Sequence, residues 1–316
     1  MVKHPHHLLY PSLPCNMLCR CEKFAGRIIK RGGDWVDIGG KFGGVGAEVE
    51  NIKPVLKYPG AKWNLAEWII SFLPQHTTYL EPYFGSGAVF FNKRPSVVET
   101  INDINGDVVS LFKILRDRPE QLAELIELTP WARDEYYTSC IKTGDELEDA
   151  RRFIVRCWQA FGARIDARSG WRHEKKGTMR ASTYHTWLTL HKRIMATAGR
   201  LRECQIENKP AVELIKSYNY DTCLIYADPP YMLETRGTKL YPFEMTNDDH
   251  LELLIALDQH PGFVVLSGYD CPLYNDGLKH WRKETHKAQA EKGQSRTEVL
   301  WINPKAAKEL EGRLFA

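Results

Sequence analysis

Residues 224–231 read Leu-Ile-Tyr-Ala-Asp-Pro-Pro-Tyr, an apolar run that stops at a carboxylate, two prolines and an aromatic ring. The apolar run has the composition of a buried strand. Neither proline can donate to a sheet, and each restricts the residue before it, so the chain leaves the strand as a stiff, extended loop. Asp228 and the carbonyl of Pro229 both accept hydrogen bonds, with Pro230 and the flat ring of Tyr231 beside them. Such a group can grip a planar ring that carries an amino substituent. Asp-Pro-Pro is also an ordinary turn after a strand, so the rest of the chain has to decide between a site and a turn.

A second group precedes it. Tyr79-Leu80-Glu81-Pro82-Tyr83-Phe84-Gly85-Ser86-Gly87 followed by Ala88-Val89-Phe90-Phe91 reads as strand, tight turn and helix. Glycine at 85 and 87 permits positive φ and lets a ligand lie against bare backbone, and the helix start offers unpaired N–H groups. Val97 to Ile101 reads as the next strand and ends in Asn102-Asp103. An acid at that strand end can take ribose hydroxyls, while Asp103 or Asn105 could equally cap the helix expected over 108–115. Glycine turn and acidic strand end, one strand-helix-strand unit apart, together point to a nucleoside-binding half. In an open α/β sheet, ligands sit at the carboxyl ends of the strands, where the Asp-Pro-Pro-Tyr loop would also lie.

Charge supplies the third clue. The chain carries a net +3, yet residues 151–202 hold 13 Lys or Arg against Asp166 and Glu174, a local +11. Inside that segment, residues 162–180 are punctuated by glycine and carry Arg164, Arg168, Trp171, Arg172 and Lys175. Lys and Arg suit phosphates, Arg can read guanine edges, and Trp171 could stack or wedge. A solvated face would look similar, but the scarcity of acids favours a polyanion partner. The flanking pattern is helical, with amphipathic helices expected over 120–128, 147–161 and 184–201.

At 316 residues, 43% hydrophobic and 26% charged, the composition is that of an ordinary globular protein. No apolar run reaches the length of a membrane span, Met1 to Pro14 lacks the apolar core of a signal peptide, and a cytoplasmic protein is expected. Residues 1–50 differ from the rest of the chain, with His4, His6, His7, Cys15, Cys19 and Cys21 early and seven glycines between Gly32 and Gly46. No clear period marks the second half of this stretch, and a poorly ordered extension is the expectation ahead of a metal site. Ordered sequence begins near Pro54, with a Pro59-Gly60 turn and a short helix over 65–73. Residues 232–245 show no period and are expected to form a loop near the site with Arg236, Lys239 and Tyr241. Asn247 or Asp248 is the expected cap of a helix over 250–257. Residues 263–269 and 297–303 read as further strands. Strands alternating with helices on both sides of a helical, basic stretch give an α/β fold with an inserted domain.

Lys57-Tyr58-Pro59-Gly60-Ala61-Lys62, Glu81-Pro82-Tyr83-Phe84-Gly85-Ser86-Gly87, Ile101-Asn102-Asp103-Ile104-Asn105, a basic insert and Asp228-Pro229-Pro230-Tyr231 stand in one order. Together, over about residues 54–304, they resemble the Dam-like, D12-class DNA adenine-N6 methyltransferases, often of phage or prophage origin. The resemblance implies a Rossmann-like, S-adenosylmethionine-dependent methyltransferase sheet, mostly parallel with one antiparallel strand. It also implies a mainly helical target-recognition insert and duplex DNA as substrate, with a cognate restriction enzyme as a possible partner. It divides the chain into an extension at 1–50, a cofactor-binding half at 51–115, the insert at 116–204 and a catalytic half at 205–316. By the same resemblance Asp228, Pro229, Pro230 and Tyr231 are catalytic. Tyr58, Lys62, Glu81, Pro82, Phe84, Gly85, Gly87 and Asp103 would hold S-adenosylmethionine, and no metal is required. The family commonly has Gly-Gly where this chain has Gly60-Ala61. Methylation of cytosine N4 or of RNA adenine, an inactive DNA-binding relative, and a dinucleotide-dependent oxidoreductase are the competing possibilities. Ser rather than Asp commonly opens the cytosine motif in related families, and an oxidoreductase leaves Asp-Pro-Pro-Tyr without a role.

Overall fold

The computed structural model describes residues 28–31, 34–37, 52–161, 170–173, 182–236, 239–289 and 295–314. Two compact units divide the chain, Met1–Glu48 and Val49–Ala316. In the first, β1 (Ile28–Arg31) and β2 (Asp34–Asp37) pair antiparallel, a hairpin in a stretch where the sequence offered no strand period. The histidines and cysteines of residues 4–21 lie outside the described residues.

The second unit is built on a seven-stranded sheet. Its strands are β3 (Thr78–Glu81), β4 (Val98–Asn102), β5 (Gln205–Glu207), β6 (Cys223–Ala227), β7 (Phe263–Tyr269), β8 (Arg282–Gln289) and β9 (Ser295–Ile302). Their order is β5-β4-β3-β6-β7-β9-β8. The first five run parallel, and β9 pairs antiparallel with both β7 and β8, so one strand opposes the rest. This is the Rossmann-like methyltransferase arrangement that the sequence led us to expect. The chain winds outward from β3 through β4 to β5, then returns to the other side of β3 with β6. The topological switch therefore falls between β3 and β6, whose carboxyl ends carry Glu81-Pro82 and Asp228-Pro229.

Period-two alternation sends one set of residues to each face. Tyr79, Leu224, Tyr226, Val265, Leu300 and Ile302 join one buried core with Phe84, Phe90, Phe91 and Phe112. Leu80, Ile225, Ala227, Val264, Leu266, Val299 and Trp301 join the core on the other face. Four of the helices between β4 and β5, at 106–117, 119–128, 146–159 and 190–201, contribute Phe112, Leu122, Ile154 and Ile194 to the first core. The central strands are thus covered on both sides, as parallel sheets require.

Several boundaries differ from the sequence expectation. A single helix over 184–201 is two, Ser182–Leu188 and Leu190–Leu201, broken at Thr189. The helix Asn247–Asp258 is capped by Thr246, not by Asn247 or Asp248: the Thr246 hydroxyl accepts from the Asp249 N–H, and the Asp249 carboxylate accepts from the Thr246 N–H. A reciprocal capping box satisfies two orphan donors where one cap would satisfy one. Of the two caps considered for the helix Gly106–Asp117, Asn105 is the one used, accepting from the Asp107 N–H at 3.0 Å.

Candidate active site

A cleft of about 370 Å³ opens at the switch point, within the usual size range of small-ligand sites. Tyr58, Lys62, Glu81, Pro82, Phe84, Gly85, Asp103, Asp228 and Pro230 all line it, although they come from four separate stretches of chain. Gly87, Pro229 and Tyr231 stand outside the lining.

The centre of the site is an ion pair. Lys62 Nζ lies 3.0 Å from Asp228 Oδ2 and donates to the Gly60 carbonyl at 2.8 Å. Burial works to lower the pKa of Lys62, but the Asp228 and Glu298 carboxylates outweigh it and hold the ammonium charged. Burial raises the pKa of Asp228 above the ordinary carboxylate value, and Lys62, with the Tyr231 hydroxyl nearby, pulls it only part of the way back. The other oxygen, Oδ1, is buried with no hydrogen-bond partner. An unpaired buried carboxylate oxygen costs free energy, so its persistence at the rim of a cleft points to a donor that arrives with a ligand.

Glu81 stands beside this pair on the neighbouring strand. Tyr79 Oη donates to Glu81 Oε2 at 2.7 Å, and burial pushes the Glu81 pKa up to about 8, with the nearby Asp228 charge adding to it. Glu81 is therefore mainly the neutral acid at pH 7, which keeps a second buried negative charge away from Asp228.

Asp103 ties the glycine turn to the end of β4. Its Oδ2 accepts from the Gly85 N–H at 2.8 Å and its Oδ1 from the Asn105 N–H at 2.8 Å. Burial raises its pKa to about 6 against these two donors, so it is ionised at neutral pH. Each carboxylate oxygen keeps a second lone pair for a ligand hydroxyl.

The two glycines of the turn have different jobs. Gly85, at φ +50°, borders the cleft, and a Cβ there would sit 3.3 Å from the Tyr58 ring. Gly87, at φ +69°, caps the helix Ala88–Asn92 against the core, where a Cβ would collide with the rings of Phe84 and Phe91. Its glycine is demanded by packing and backbone rather than by ligand contact.

Tyr231 is more enclosed than the sequence suggested. Its hydroxyl donates to Glu298 Oε2 at 2.8 Å, its ring meets Tyr269 edge-on at 4.5 Å, and the Lys62 ammonium covers it at 4.6 Å. Its carbonyl accepts from Arg236 Nε at 2.6 Å. Two contacts at the site escaped sequence reasoning, those made by Glu298 and Tyr241. Tyr241 Oη donates to the Pro59 carbonyl at 3.3 Å and stands over Gly60, whose φ is +70°. The positive φ falls on Gly60, and the Ala61 N–H closes the turn on the Tyr58 carbonyl at 3.4 Å, so the turn forms with alanine at 61.

The basic segment divides in two. Arg151 pairs with Glu135 and Glu148, Arg152 with Glu148, Arg156 with Asp107 and Arg200 with Glu99. All of these acids lie outside residues 151–202, so the arginines are neutralised by partners that a local tally does not count. Arg164, Arg168 and Lys175 lie outside the described residues. Trp171 and Arg172 are described and pack against the end of the helix Glu146–Gln159. The Trp171 indole donates to Gln159 Oε1 at 3.2 Å with its ring stacked on His173. Arg172 donates from its backbone to the Gln159 carbonyl at 2.7 Å and from Nε to the Ala160 carbonyl at 3.1 Å.

The family model described as D12 class N6 adenine-specific DNA methyltransferase matches residues 58–292, from the segment holding Tyr58 and Lys62 to beyond β8. This chain belongs to that family. A type II methyltransferase of Lactococcus lactis subsp. cremoris is 26% identical over 278 residues, 76% of this chain and 88% of its own length. The DNA adenine methylase of Escherichia coli K12 is 35% identical over 69 residues, 22% of this chain and 24% of its own. A DNA N-6-adenine-methyltransferase of Escherichia phage P1 is 32% identical over 73 residues, 23% of this chain and 10% of its own. The chain is accordingly an adenine-N6 DNA methyltransferase. Among the described residues no helix is long and apolar enough to cross a membrane, and no cluster of His, Cys, Asp or Glu could hold a metal ion.

Proposed function

We propose that this methyltransferase takes its methyl group from S-adenosylmethionine and delivers it to an adenine flipped out of duplex DNA at a specific sequence. The observation that carries the proposal is the half-paired carboxylate of Asp228, one oxygen held by Lys62 and the other buried without a donor. An exocyclic amino group is a donor of the missing kind.

The residues of the cleft fit the cofactor. Gly85 leaves room for a ligand beside Tyr58, ionised Asp103 has lone pairs for ribose hydroxyls, and the volume suits a nucleoside. Tyr58, Lys62, Glu81, Pro82 and Phe84 complete the holding surface. S-adenosylmethionine, when bound, supplies a methyl group made electrophilic by a sulfonium.

Adenine N6 is a poor nucleophile because its lone pair is delocalised into the ring. Asp228 Oδ1 and the Pro229 carbonyl would each accept from its N–H groups and favour the geometry in which the lone pair faces the methyl. As the N–C bond forms, the bond between the methyl and the sulfonium would break, its electron pair leaving on sulfur as a neutral thioether; the nitrogen becomes positive, and the fixed charge on Asp228 stabilises it without reorganisation. One proton then leaves the nitrogen to the carboxylate or to water. Alignment of the two reactants can contribute roughly 7–11 kcal/mol. Extruding the base costs a few kcal/mol, of which stacking on Tyr231 can return roughly 1–3 kcal/mol. Lys62 covers one face of that ring, so a stacked base takes the other face or displaces the ammonium.

Residues 116–204 serve, under this proposal, as the target-recognition part, with Arg164, Arg168, Trp171, Arg172 and Lys175 against DNA. Gln159 and Ala160 hold Trp171 and Arg172 in place. The chain would work in the cytoplasm of a bacterial host. Pairing with a restriction enzyme is supported by the name of the Lactococcus relative, a type II methyltransferase. Sequencing with modified-base detection on DNA from a host expressing this chain tests the function. N6-methyladenine in a fixed sequence context is expected; N4-methylcytosine, or no modification of DNA, would overturn it.

A further inference from the structure

Two prolines stiffen the backbone up to Tyr231, but they leave its side chain free to rotate. Something else must aim the ring. Its hydroxyl donates to Glu298 Oε2 at 2.8 Å, across 67 residues of sequence. Glu298 lies directly opposite Tyr269 in the β7–β9 register, and the Tyr269 ring meets Tyr231 edge-on at 4.5 Å. Both contacts are therefore delivered by one rung of the sheet, at the end nearest the site. Glu298 is half-buried, and away from the site the strand continues as the buried apolar run Val299 to Ile302. A carboxylate in such company is costly to desolvate and needs a donor and a counter-charge. The Tyr231 hydroxyl supplies the donor, and the Lys62 ammonium lies over the same Tyr231 ring at 4.6 Å.

We propose that Glu298 is a positioning residue for methyl transfer, acting through the Tyr231 hydroxyl to fix the ring on which the target base is received. The inference rests on the function proposed above. Glu298 touches no reacting atom in this arrangement. Its removal takes away the hydrogen bond that fixes the Tyr231 hydroxyl, leaving the ring held by the Tyr269 edge and the Lys62 ammonium alone. The effect falls on the step after DNA is bound, because phosphate contacts elsewhere dominate affinity.

The test is a double-mutant cycle on kcat and on KM for duplex DNA, using E298A, E298Q, Y231F and E298A/Y231F, with thermal melting of each to confirm folding. E298A is expected to lower kcat by roughly 10-fold or more while KM for DNA stays within about 3-fold, the pattern of an interaction felt after binding. E298Q keeps an acceptor for the hydroxyl and is expected to recover most of kcat. In the Y231F background the further loss from E298A should shrink to about 3-fold or less, because contacting residues are coupled rather than additive. Equal losses from E298A in both backgrounds, or no rescue by E298Q, would overturn the positioning role. So would an E298A enzyme that matches an active wild type. A wild type that transfers no methyl group to DNA would instead overturn the function on which the inference stands.

Discussion

Lys62 grips Asp228 Oδ2 at 3.0 Å and leaves Oδ1 buried without a partner among the described residues. The pair does two jobs at once. It opposes the burial that raises the Asp228 pKa, and it leaves the second oxygen for the cleft. Replacing Lys62 by Met should therefore cost activity in a pH-dependent way. Asp228 works ionised, so activity is lost as pH falls through its pKa, and removing the ammonium raises that pKa further. The acid limb of the kcat–pH profile should move upward by roughly 1–3 pH units, with part of the lost rate regained at high pH. An acid limb in the same place would mean that Lys62 acts only by holding the Gly60 turn.

Glu81 titrates in the opposite sense to a salt-bridged acid. Its pKa rises from the ordinary 4.5 to about 8 on burial. Folded protein thus holds the proton more tightly than unfolded chain, and the stability linked to Glu81 is full below pH 4.5 and is lost as pH rises toward 8. Glu81→Gln should flatten the decline of Tm between about pH 5 and pH 8, a difference read directly from melting curves across that range. Parallel curves for the two proteins would contradict it.

The glycines separate packing from binding. Gly87→Ala should destabilise the fold by about 2 kcal/mol or more, since left-handed backbone and a collision with two core rings add together. Gly85→Ala, with Tyr58 3.3 Å from the new methyl, should cost less stability and should weaken cofactor binding. Melting temperatures and calorimetric titration with S-adenosylmethionine distinguish the two.

Gly60 makes a similar case at the turn beneath Tyr241. Its left-handed backbone makes alanine there cost about 1–2 kcal/mol, and the Tyr241 hydroxyl stands where the methyl would go. Removing that hydroxyl in Gly60→Ala/Tyr241→Phe should restore part of the stability lost by Gly60→Ala alone. Failure of the double variant to melt above the single one would show that Tyr241 moves aside freely.

Arginines of the basic segment should sort by partner. Arg168→Ala and Arg172→Ala are expected to weaken DNA binding and to lower the slope of log affinity against log salt by about 0.9 for each phosphate no longer neutralised. Arg200→Ala, which removes one of the two cationic partners of Glu99 and leaves Lys93, should lower Tm and leave that slope unchanged. A salt titration with the three variants decides the sorting.

Much of this site could be read directly from the chain. Asp228, Gly85 and Asp103 stand in stiff or glycine-bearing turns at strand ends, where local rules constrain both residue type and conformation. Short continuous apolar runs likewise mark β6 and β7. What escaped was set by distance or by polarity. β8 is an edge strand alternating Lys283, Thr285 and Lys287 outward, so it lacks the apolar signature of the central strands. Glu298 reaches Tyr231 over 67 residues, and Arg200 reaches Glu99 over 101, pairings that no local window contains. The second case also explains why a local +11 overstated the charge free for DNA: four of its 13 basic residues are matched by acids elsewhere in the chain.

The clamp at Asp228 is tested most directly by methyl transfer to duplex DNA from saturating S-adenosylmethionine, comparing wild type with Asp228→Ala and measuring cofactor affinity in parallel. Transfer should fall by roughly 100-fold or more, the scale seen when an electrostatic partner of the reacting group is removed, while cofactor affinity changes by about 3-fold or less. Near-normal turnover at saturating cofactor, with the defect confined to cofactor binding, would contradict the assignment of Asp228 Oδ1 to the adenine amino group.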